Sequence, residues 1–260
     1  MSDATEIRPS SAQDADPQDS MMRRLVRGFG WGFIGLGLFL LGFVGHQLFV
    51  TTWFAQQHNT QLEAEANEYF AEAEIGEVAY VSPGAPTLIE SEEQATESES
   101  EPEESAGPRT LLVEQPPPEG QPFAIIRIPT IERLQEGWTV VEGVSRRDLK
   151  SGAGHMPATP LPGQPGNAVI SGHRTTYGAP FHELDQLEPG DLIEVETALG
   201  VHTYAVDESI IVKPTAIWVA EDRDGAWLTL TTCHPKFSSR QRLVVFAELV
   251  DGPNAGVIVG

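Results

Sequence analysis

The sequence predicts an all-β domain in residues 123–251, preceded by one transmembrane helix and an acidic stalk. Short apolar or alternating runs recur through the domain, separated by Gly, Pro and Asp, a pattern typical of β-barrels and β-sandwiches. An uncharged apolar run predicts the helix, and a Ser-, Glu- and Pro-rich segment predicts the stalk. The chain therefore divides into a cytoplasmic tail (1–27), a membrane segment (28–54), the stalk (55–122), the β domain (123–251) and a C-terminal tail (252–260).

The charge balance excludes one class of partner. Asp and Glu total 38 against 16 Lys and Arg, so the formal net charge is −22. Most of the excess lies in residues 59–122, where Arg109 is the only basic residue and every acidic residue is Glu. Phosphate binding needs a basic face, so this composition argues against nucleic acid as a partner.

The uncharged run at residues 28–50 predicts a membrane anchor. At about 1.5 Å per residue it is long enough for a hydrocarbon core of about 30 Å. Arg23, Arg24 and Arg27 directly precede it, so the positive-inside rule places the N-terminus in the cytoplasm and the β domain outside the cell. The alternative is a cleaved secretory signal, but such signals have an apolar core of about 7–15 residues and a small-residue cleavage site. We expect an uncleaved, single-pass anchor in the cell membrane.

The composition of the stalk indicates that it acts as a spacer. Residues 56–77 contain good helix formers and can continue as a helix for a few turns. Residues 81–122 cannot bury enough apolar surface to fold, and their like charges extend them. We expect this disordered segment to set the distance between the membrane and the β domain.

The local sequence pattern of the β domain predicts where its strands lie. Two turn signals, Pro-Leu-Pro-Gly at 160–163 and Glu-Pro-Gly-Asp at 188–191, interrupt it, and residues 146–150 and 180–187 predict short helical turns. The predicted strand runs are 123–128, 138–141, 168–171, 192–197, 202–209, 210–212, 227–232 and 243–249.

Cys233 is the candidate nucleophile. It is the only cysteine, so no internal disulfide is possible. It follows the run 227–232 and precedes His234-Pro235, which ends the strand, and alternation places it on the more polar strand face. An inert buried thiol is the alternative, because free cysteine is among the most buried residue types. A strand end can both hold and expose a nucleophile, which favours a reactive thiol.

His173 is the first candidate for the base that a thiol needs near neutral pH. It follows the run 167–172, a strand that closes on a glycine and so exposes the next side chain at a barrel rim. His155, in a loop, is the second choice. The other histidines fit less well: His182 on a helical turn, His202 within a strand, His234 on the face opposite Cys233, and His46 and His58 in the anchor and stalk. No ligand pair has zinc-type spacing, so we expect no metal and no other cofactor.

Acyl transfer also needs a donor where the oxyanion develops. Arg240 and Arg242 follow the cysteine beyond the turn 236–239 and precede the run 243–249. Either arginine can stand beside Cys233, since the two share strand parity. The alternative is a pair of solvent-exposed charges at a hairpin.

Together these residues resemble the sortases. In that family a strand ends in the motif T-L-x-T-C, and residues 229–233 match it. The family's histidine follows an upstream strand, as His173 does in Ser171-Gly172-His173. The family's arginine opens the next strand, as Arg242 does here. The segments 166–181 and 232–237 are similar to class E sortases of high-GC Gram-positive bacteria, and class D members carry a related Thr-Cys-x-Pro stretch.

The resemblance implies an eight-stranded sortase-type β-barrel and a cysteine transpeptidase. It implies that Cys233 attacks the Thr–Gly amide of a C-terminal sorting signal, Leu-Ala-x-Thr-Gly or Leu-Pro-x-Thr-Gly, borne by a secreted protein. His173 is then the general acid and base, and Arg242 holds the oxyanion or the substrate backbone. The amino group of a peptidoglycan precursor resolves the thioester. Thr232 and Tyr177 are the candidate substrate contacts.

Three other functions fit parts of the sequence. A pilus-assembling sortase joins subunits through a lysine side chain and often carries an Asp-Pro-aromatic lid motif, which residues 55–122 lack. A different Cys/His transpeptidase could remodel peptidoglycan directly, although no motif supports it. A catalytically silent, membrane-tethered binding module would have a thiol that ignores alkylating agents.

Overall fold

The computed structural model describes residues 17–80 and 109–259, in two compact units, Met1–Val50 and Thr51–Gly260. The predicted tail before residue 17 and the acidic stalk segment 81–108 lie outside the described residues. The helices are α1 (Pro17–Glu72), α2 (Glu132–Gln135), α3 (Asp148–Ser151) and α4 (Ala255–Ile258). The strands are β1 (Ile75–Tyr80), β2 (Arg109–Glu114), β3 (Pro122–Arg127), β4 (Trp138–Glu142), β5 (Ala153–His155), β6 (Gly166–Ser171), β7 (Leu192–Thr197), β8 (Gly200–Val212), β9 (Ala226–His234) and β10 (Gln241–Asp251).

Helix α1 contains the candidate membrane anchor. Its stretch Met21–Val44 is long and apolar enough to cross a membrane, and it begins before the predicted run at 28–50. Large side chains such as Phe33 and Leu41 are about 70% exposed along it (72% and 71%), as lipid-facing residues are. The helix then continues to Glu72, as the helix formers predict.

Strands β3 to β10 close into an eight-stranded barrel, which confirms the predicted fold class. The strand order is β10-β8-β7-β3-β4-β5-β6-β9, with parallel pairs at β4–β5 and β6–β9. Alternate residues fill the interior, among them Ile126, Ile170, Leu228, Leu230 and Val245, all fully buried. Each such side chain stabilises the fold by roughly 1.5–3 kcal/mol relative to its exposed state.

Most predicted strand runs coincide with barrel strands. The runs 202–209 and 210–212 form one continuous strand, β8. Its pairing with β10 contains two register irregularities, but it continues on both sides of them. The sequence missed β5, since three residues are too few for a periodic pattern. The predicted turns at 146–150 and 180–187 contain α3 and a 3-10 turn, Leu184–Gln186.

The predicted stalk, 55–122, is ordered at both ends: its helical start was predicted, whereas the order of residues 109–122 contrasts with the expected disorder. Asn59 of α1 accepts from the Thr139 backbone N–H at 2.9 Å and donates to the Gly137 carbonyl. Strands β1 and β2 pair as a hairpin, and Leu111 is 3% exposed within the barrel's core cluster. Local composition misses this order because contact with the barrel supplies the stabilisation.

The predicted C-terminal tail, 252–260, also belongs to the fold. Ala255 and Ile258 of α4 join the core cluster. The Asn254 side chain donates to the carbonyls of Leu112 and Gly163 and accepts from the Leu112 N–H. One fully buried amide therefore ties the C-terminus to β2 and to a barrel loop.

Candidate active site

Strand register brings the three predicted catalytic residues together. Cys233, near the end of β9, lies directly opposite Arg242 at the start of β10. Strands β6 and β9 run parallel with Ser171 opposite Thr231, so continuing that register sets His173 level with Cys233. The three positions therefore stand side by side at one end of the barrel, which we call the catalytic end.

The side chains of Cys233 and Arg242 lie on the outer face of the barrel. The hydroxyls of Ser171 and Thr231 hydrogen-bond at 2.8 Å, which puts both on one face. Cys233 is two residues beyond Thr231 and so shares that face, whereas Leu230 points into the core. Cys233 as a residue is half-buried.

His173 sits just beyond β6 in a segment tied to β9. The Gly172 N–H donates to the Thr231 carbonyl, and the Phe181 N–H donates to the His173 carbonyl. Burial lowers the pKa of His173 below its ordinary value, which favours the neutral imidazole. Tyr177 lies with its ring centroid 5.0 Å from that of His173 and is itself 50% exposed.

Arg242 is oriented by the loop before it. One guanidinium nitrogen, Nη1, donates to the carbonyls of Ser239 at 3.1 Å and Gln241 at 3.0 Å. A guanidinium carries five N–H donors, so these two bonds orient it without exhausting its donors. Strand parity could not decide between Arg240 and Arg242. In the structure Arg240 lies in the turn before β10 and is not opposite Cys233.

Thr232 serves the structure of the site. It is 3% exposed, and its hydroxyl donates to the Gly172 carbonyl at 2.7 Å. This bond joins the residue before Cys233 to the residue before His173. The hydroxyl oxygen can still accept a hydrogen bond, so the substrate contact at Thr232 stays a prediction.

Arg174 is the residue that the sequence reasoning missed. It is 2% exposed, and its Nη2 lies 2.8 Å from an Asp185 oxygen. Its Nη1 donates to Nδ1 of His234 at 3.0 Å and to the Cys233 carbonyl at 3.4 Å, and its own carbonyl lies 2.7 Å from Nδ1 of His182. This cation thus links the segment after His173 to the end of β9. In the sequence, only its position next to His173 could have indicated that Arg174 belongs to the candidate site.

His155 and His202 have structural settings. His155, the second choice, is not in a loop but in β5, 1% exposed, with Nδ1 2.7 Å from Glu142 and Nε2 2.9 Å from the Pro160 carbonyl. Burial lowers the pKa of His202 to about 4. Within residues 17–80 and 109–259, no group of three His, Cys, Asp or Glu side chains could hold a metal ion.

Comparison with known proteins identifies the family. The family model for the sortase domain matches residues 126–250, which include His173, Cys233 and Arg242. The solved sortase E of Streptomyces avermitilis is 35% identical over 94% of that chain and 54% of this one, with a TM-score of 0.47. This chain belongs to the sortase family.

Two curated sortases show how far the similarity extends. Sortase SrtE1 of Streptomyces coelicolor is 31% identical over 51% of this chain and 41% of its own length. Sortase D of Bacillus subtilis is 32% identical over 46% of this chain and 58% of its own length. The chain thus spans about half the length of these two sortases.

Proposed function

We propose that this sortase is a membrane-anchored cysteine transpeptidase. It cleaves the Thr–Gly bond of a C-terminal sorting signal of the Leu-Ala-x-Thr-Gly or Leu-Pro-x-Thr-Gly kind. It then joins the new Thr carboxyl end to an amine of a peptidoglycan precursor. The observation that carries this proposal is the register that sets Cys233 opposite Arg242 and level with His173.

The first half-reaction forms a thioester. His173, held largely neutral by burial, accepts the Cys233 proton, and the thiolate attacks the threonine carbonyl carbon. Arg242 donates to the oxygen as negative charge develops on it. The C–N bond then breaks, and the imidazolium returns its proton to the departing glycine amine. The enzyme keeps the threonyl group on sulfur.

The second half-reaction releases the product. A neutral acceptor amine attacks the thioester carbonyl, and His173 takes the proton that the nitrogen loses. The C–S bond breaks as the new amide bond forms, and Cys233 leaves as a thiolate. Proton return from His173 restores the starting state, so no oxidant, reductant or metal enters the cycle.

The outer face of the barrel next to Cys233 suits an extended donor peptide. Asn167, on the same face, donates to the carbonyls of Val219 and Glu221 and so anchors the loop between β8 and β9 over this face. Val219, Val244 and Phe246 form a small apolar cluster beneath that loop. This cluster is itself buried and holds the loop in place, so the apolar surface open to a signal peptide here is that of the loop's exposed Ile217 and Trp218.

The proposed location is the outer surface of the cell membrane. The stretch Met21–Val44 is the anchor, and the arginines that lie among and just after its first residues place the N-terminus in the cytoplasm by the positive-inside rule. Secreted proteins with a sorting signal and lipid-linked wall precursors then reach the barrel from the same side.

Mass spectrometry of the full chain in detergent micelles tests the proposal. The protein would be incubated with either signal peptide, with and without an amine acceptor, beside a Cys233→Ala control. We expect a thioester adduct on Cys233 that ends at threonine, and an amide product when the amine is present. A folded protein that forms no adduct and cleaves neither peptide would refute transpeptidation and favour the binding module.

A further inference from the structure

The turn between β9 and β10 places an exposed aromatic residue at the catalytic end of the barrel. The turn comprises residues 235–240, and we call it the β9–β10 tip. The Ser238 N–H donates to the Pro235 carbonyl at 3.0 Å, which closes a β-turn. Phe237 is the third residue of that β-turn and is 87% exposed. The proposed reaction uses no side chain of the tip.

The exposure of Phe237 is unusual even beside the proposed membrane anchor. No large apolar residue whose burial the structure describes is more exposed, and the most exposed one in Met21–Val44 reaches 72%. The φ angle of Phe237, +65°, lies in the left-handed region, where glycine or asparagine is usual at this turn position. The fold therefore holds a strained backbone position whose ring buries almost no surface within the chain.

The charge of the tip favours an anionic partner. Residues 235–242 include Lys236, Arg240 and Arg242 and no acidic residue. Lys213 lies at the end of β8, directly after the residue that pairs with Arg242. Four basic residues therefore surround one exposed ring.

Carboxylates at the catalytic end do not cancel this charge. Asp185 faces the tip, with one oxygen 3.9 Å from Nζ of Lys236, but its other oxygen already pairs with Arg174 at 2.8 Å. Glu132 and Glu136 lie just before β4, which β5 and β6 separate from β9. The basic tip therefore occupies one side of the rim.

A block of negative charge is attached at the opposite end of the barrel. The segment 81–108 contains eight glutamates and no basic residue. It joins the hairpin at Tyr80 and Arg109, and Arg109 donates to the Val257 carbonyl of α4 at 3.1 Å. Helix α4 follows the end of β10, whereas Arg242 lies at the start of that strand. This separation of charge turns the tip toward an anionic surface and the acidic segment away from it.

The chain from the proposed anchor also meets the barrel at its catalytic end. Asn59 is hydrogen-bonded to Gly137 and Thr139 at the start of β4. Strand β4 is parallel to β5, β5 is antiparallel to β6, and β6 is parallel to β9, so the start of β4 lies at the same end as Cys233. Only fifteen residues separate Asn59 from Val44, the last residue of the anchor. A tether this short raises the effective concentration of the bilayer at the tip, so a weak contact suffices.

We propose that the β9–β10 tip binds the surface of an anionic lipid bilayer. Phe237 enters the interface between headgroups and acyl chains, and Lys236 and Arg240 contact lipid phosphates on either side of it. The catalytic end then faces the surface at which membrane-attached donors and lipid-linked acceptors arrive. This inference rests on the proposed membrane location and does not depend on the thiol chemistry.

Bromolipid quenching of the full chain in nanodiscs tests the contact. Cys233→Ala removes the only cysteine, so Ser239→Cys then carries a single bimane label in the tip beside an intact Phe237. Val201→Cys is the matched label position, since Val201 is 43% exposed and lies at the opposite end of the barrel, near the start of β8. Each disc would hold one chain in phosphatidylglycerol or phosphatidylcholine, with or without bromine on the acyl chains.

We expect brominated phosphatidylglycerol to quench roughly half of the emission at residue 239 and less than about a tenth at residue 201, because an interfacial segment lies about 5–10 Å into the headgroup region. Brominated phosphatidylcholine and high salt should both quench less, because the basic residues then lack an attracting surface.

Substitutions separate the ring from the charges. Phe237→Ser and Lys236→Gln/Arg240→Gln should each reduce the quenching at residue 239 about twofold. Val201→Ser, an equally exposed apolar residue at the opposite end, should leave it unchanged.

Three results would overturn the inference. Equal quenching at residues 239 and 201 would show that the barrel has no preferred end at the bilayer. A label shift at residue 239 that grows with protein concentration in detergent micelles, without quenching in discs, would assign the tip to a second copy of the chain. Protection of that label by a signal peptide in micelles, again without quenching in discs, would assign it to the donor.

Failure of the proposed function gives different results. A chain that does not enter nanodiscs would refute the proposed membrane location, and this inference with it. A chain that forms no thioester would refute transpeptidation and leave the lipid contact intact, since the quenching is measured without the thiol.

Discussion

Arg174 shows how one side chain can position two others. It carries a buried positive charge between the segment after His173 and the end of β9, with Asp185 as its charged partner. The ladder between β6 and β9 ends at Ser171, so backbone pairing does not extend to His173. We therefore assign Arg174 the role of a positioning residue for the Cys233–His173 pair.

Replacing Arg174 should slow the chemical step more than it weakens substrate binding. Arg174→Met removes the bonds to Asp185 and to the end of β9, so we expect kcat for thioester formation to fall on the order of tenfold with little change in KM. Losing the hydrogen bonds of this buried guanidinium should also lower the free energy of unfolding by about 1–3 kcal/mol. Rapid-quench kinetics and urea unfolding would measure the two effects.

Two comparisons separate positioning from mere stability. Arg127→Met breaks the ion pair with Glu196, 2.6 Å long and remote from the site, and should lower stability without lowering kcat. Arg174→Lys keeps the charge and should recover part of the rate. Wild-type kcat in Arg174→Met would show that the site holds its geometry without this arginine.

Tyr177 should tune the protonation of His173. Burial lowers the imidazole pKa, and the Tyr177 ring is part of what covers it. Tyr177→Ala exposes the imidazole, so its pKa should rise toward the ordinary value of about 6.5, and the matching limb of the pH profile of kcat/KM should move up. Tyr177→Phe keeps the ring and should leave the profile in place. A profile that is identical in both variants would exclude this role.

At the scale of elements, the C-terminal part of α1 acts as part of the barrel domain. The Asn59 side chain accepts a hydrogen bond from the backbone N–H of Thr139 near the start of β4. Asn59→Ala leaves that buried donor unpaired, so we expect a loss of about 1–3 kcal/mol in the free energy of unfolding. Thr60→Ala, which removes only an exposed bond within the same helix, should cost much less. Equal unfolding free energies in urea for the two variants would contradict this docking.

The hairpin of β1 and β2 should make stability depend on pH. Burial raises the pKa of Glu114 on β2 from 4.5 to about 7. Its stabilising contribution is then fully present below about pH 4.5 and is lost as the pH rises through about 7, since the buried carboxyl must ionise. The shift corresponds to about 3 kcal/mol as an upper bound.

Glu114→Gln tests this pH dependence. The variant cannot ionise, so its unfolding free energy should fall less than that of the wild type between pH 5 and pH 8. Glu119→Gln, at an exposed position of the next loop, should follow the wild type. If Glu114→Gln keeps the full wild-type slope, another group is responsible for it.

At the scale of the whole molecule, the acidic segment 81–108 is not a spacer between membrane and barrel. Its flanking residues, Tyr80 and Arg109, are paired directly across the β1–β2 hairpin. The segment therefore leaves and returns at one place, and its length cannot set the reach of the barrel. Deleting all of residues 81–122 would also remove β2, so that change would not isolate the role of the segment.

Replacing residues 81–108 by a short Asn-Gly turn should leave donor cleavage and cell-wall anchoring unchanged. Stability should rise by roughly 2–2.5 kcal/mol, since the loop shortens from 28 residues to 2, which is almost four doublings, and each doubling costs about 0.6 kcal/mol. Urea unfolding and a surface-display assay in cells would measure both. Reduced anchoring with intact cleavage in detergent would show that the segment has a role in cells.

The sequence by itself determined the membrane helix, most barrel strands and the residues of the proposed site. Period-two alternation marks β7 and β9, and the family motif marks His173, Cys233 and Arg242, because each depends on a short stretch of chain. Only the tertiary structure decided that β1, β2 and α4 fold, that the Thr232 hydroxyl bonds Gly172 and that Arg174 joins the proposed site. Those outcomes depend on contacts between residues far apart in sequence, where burial against the barrel outweighs local composition.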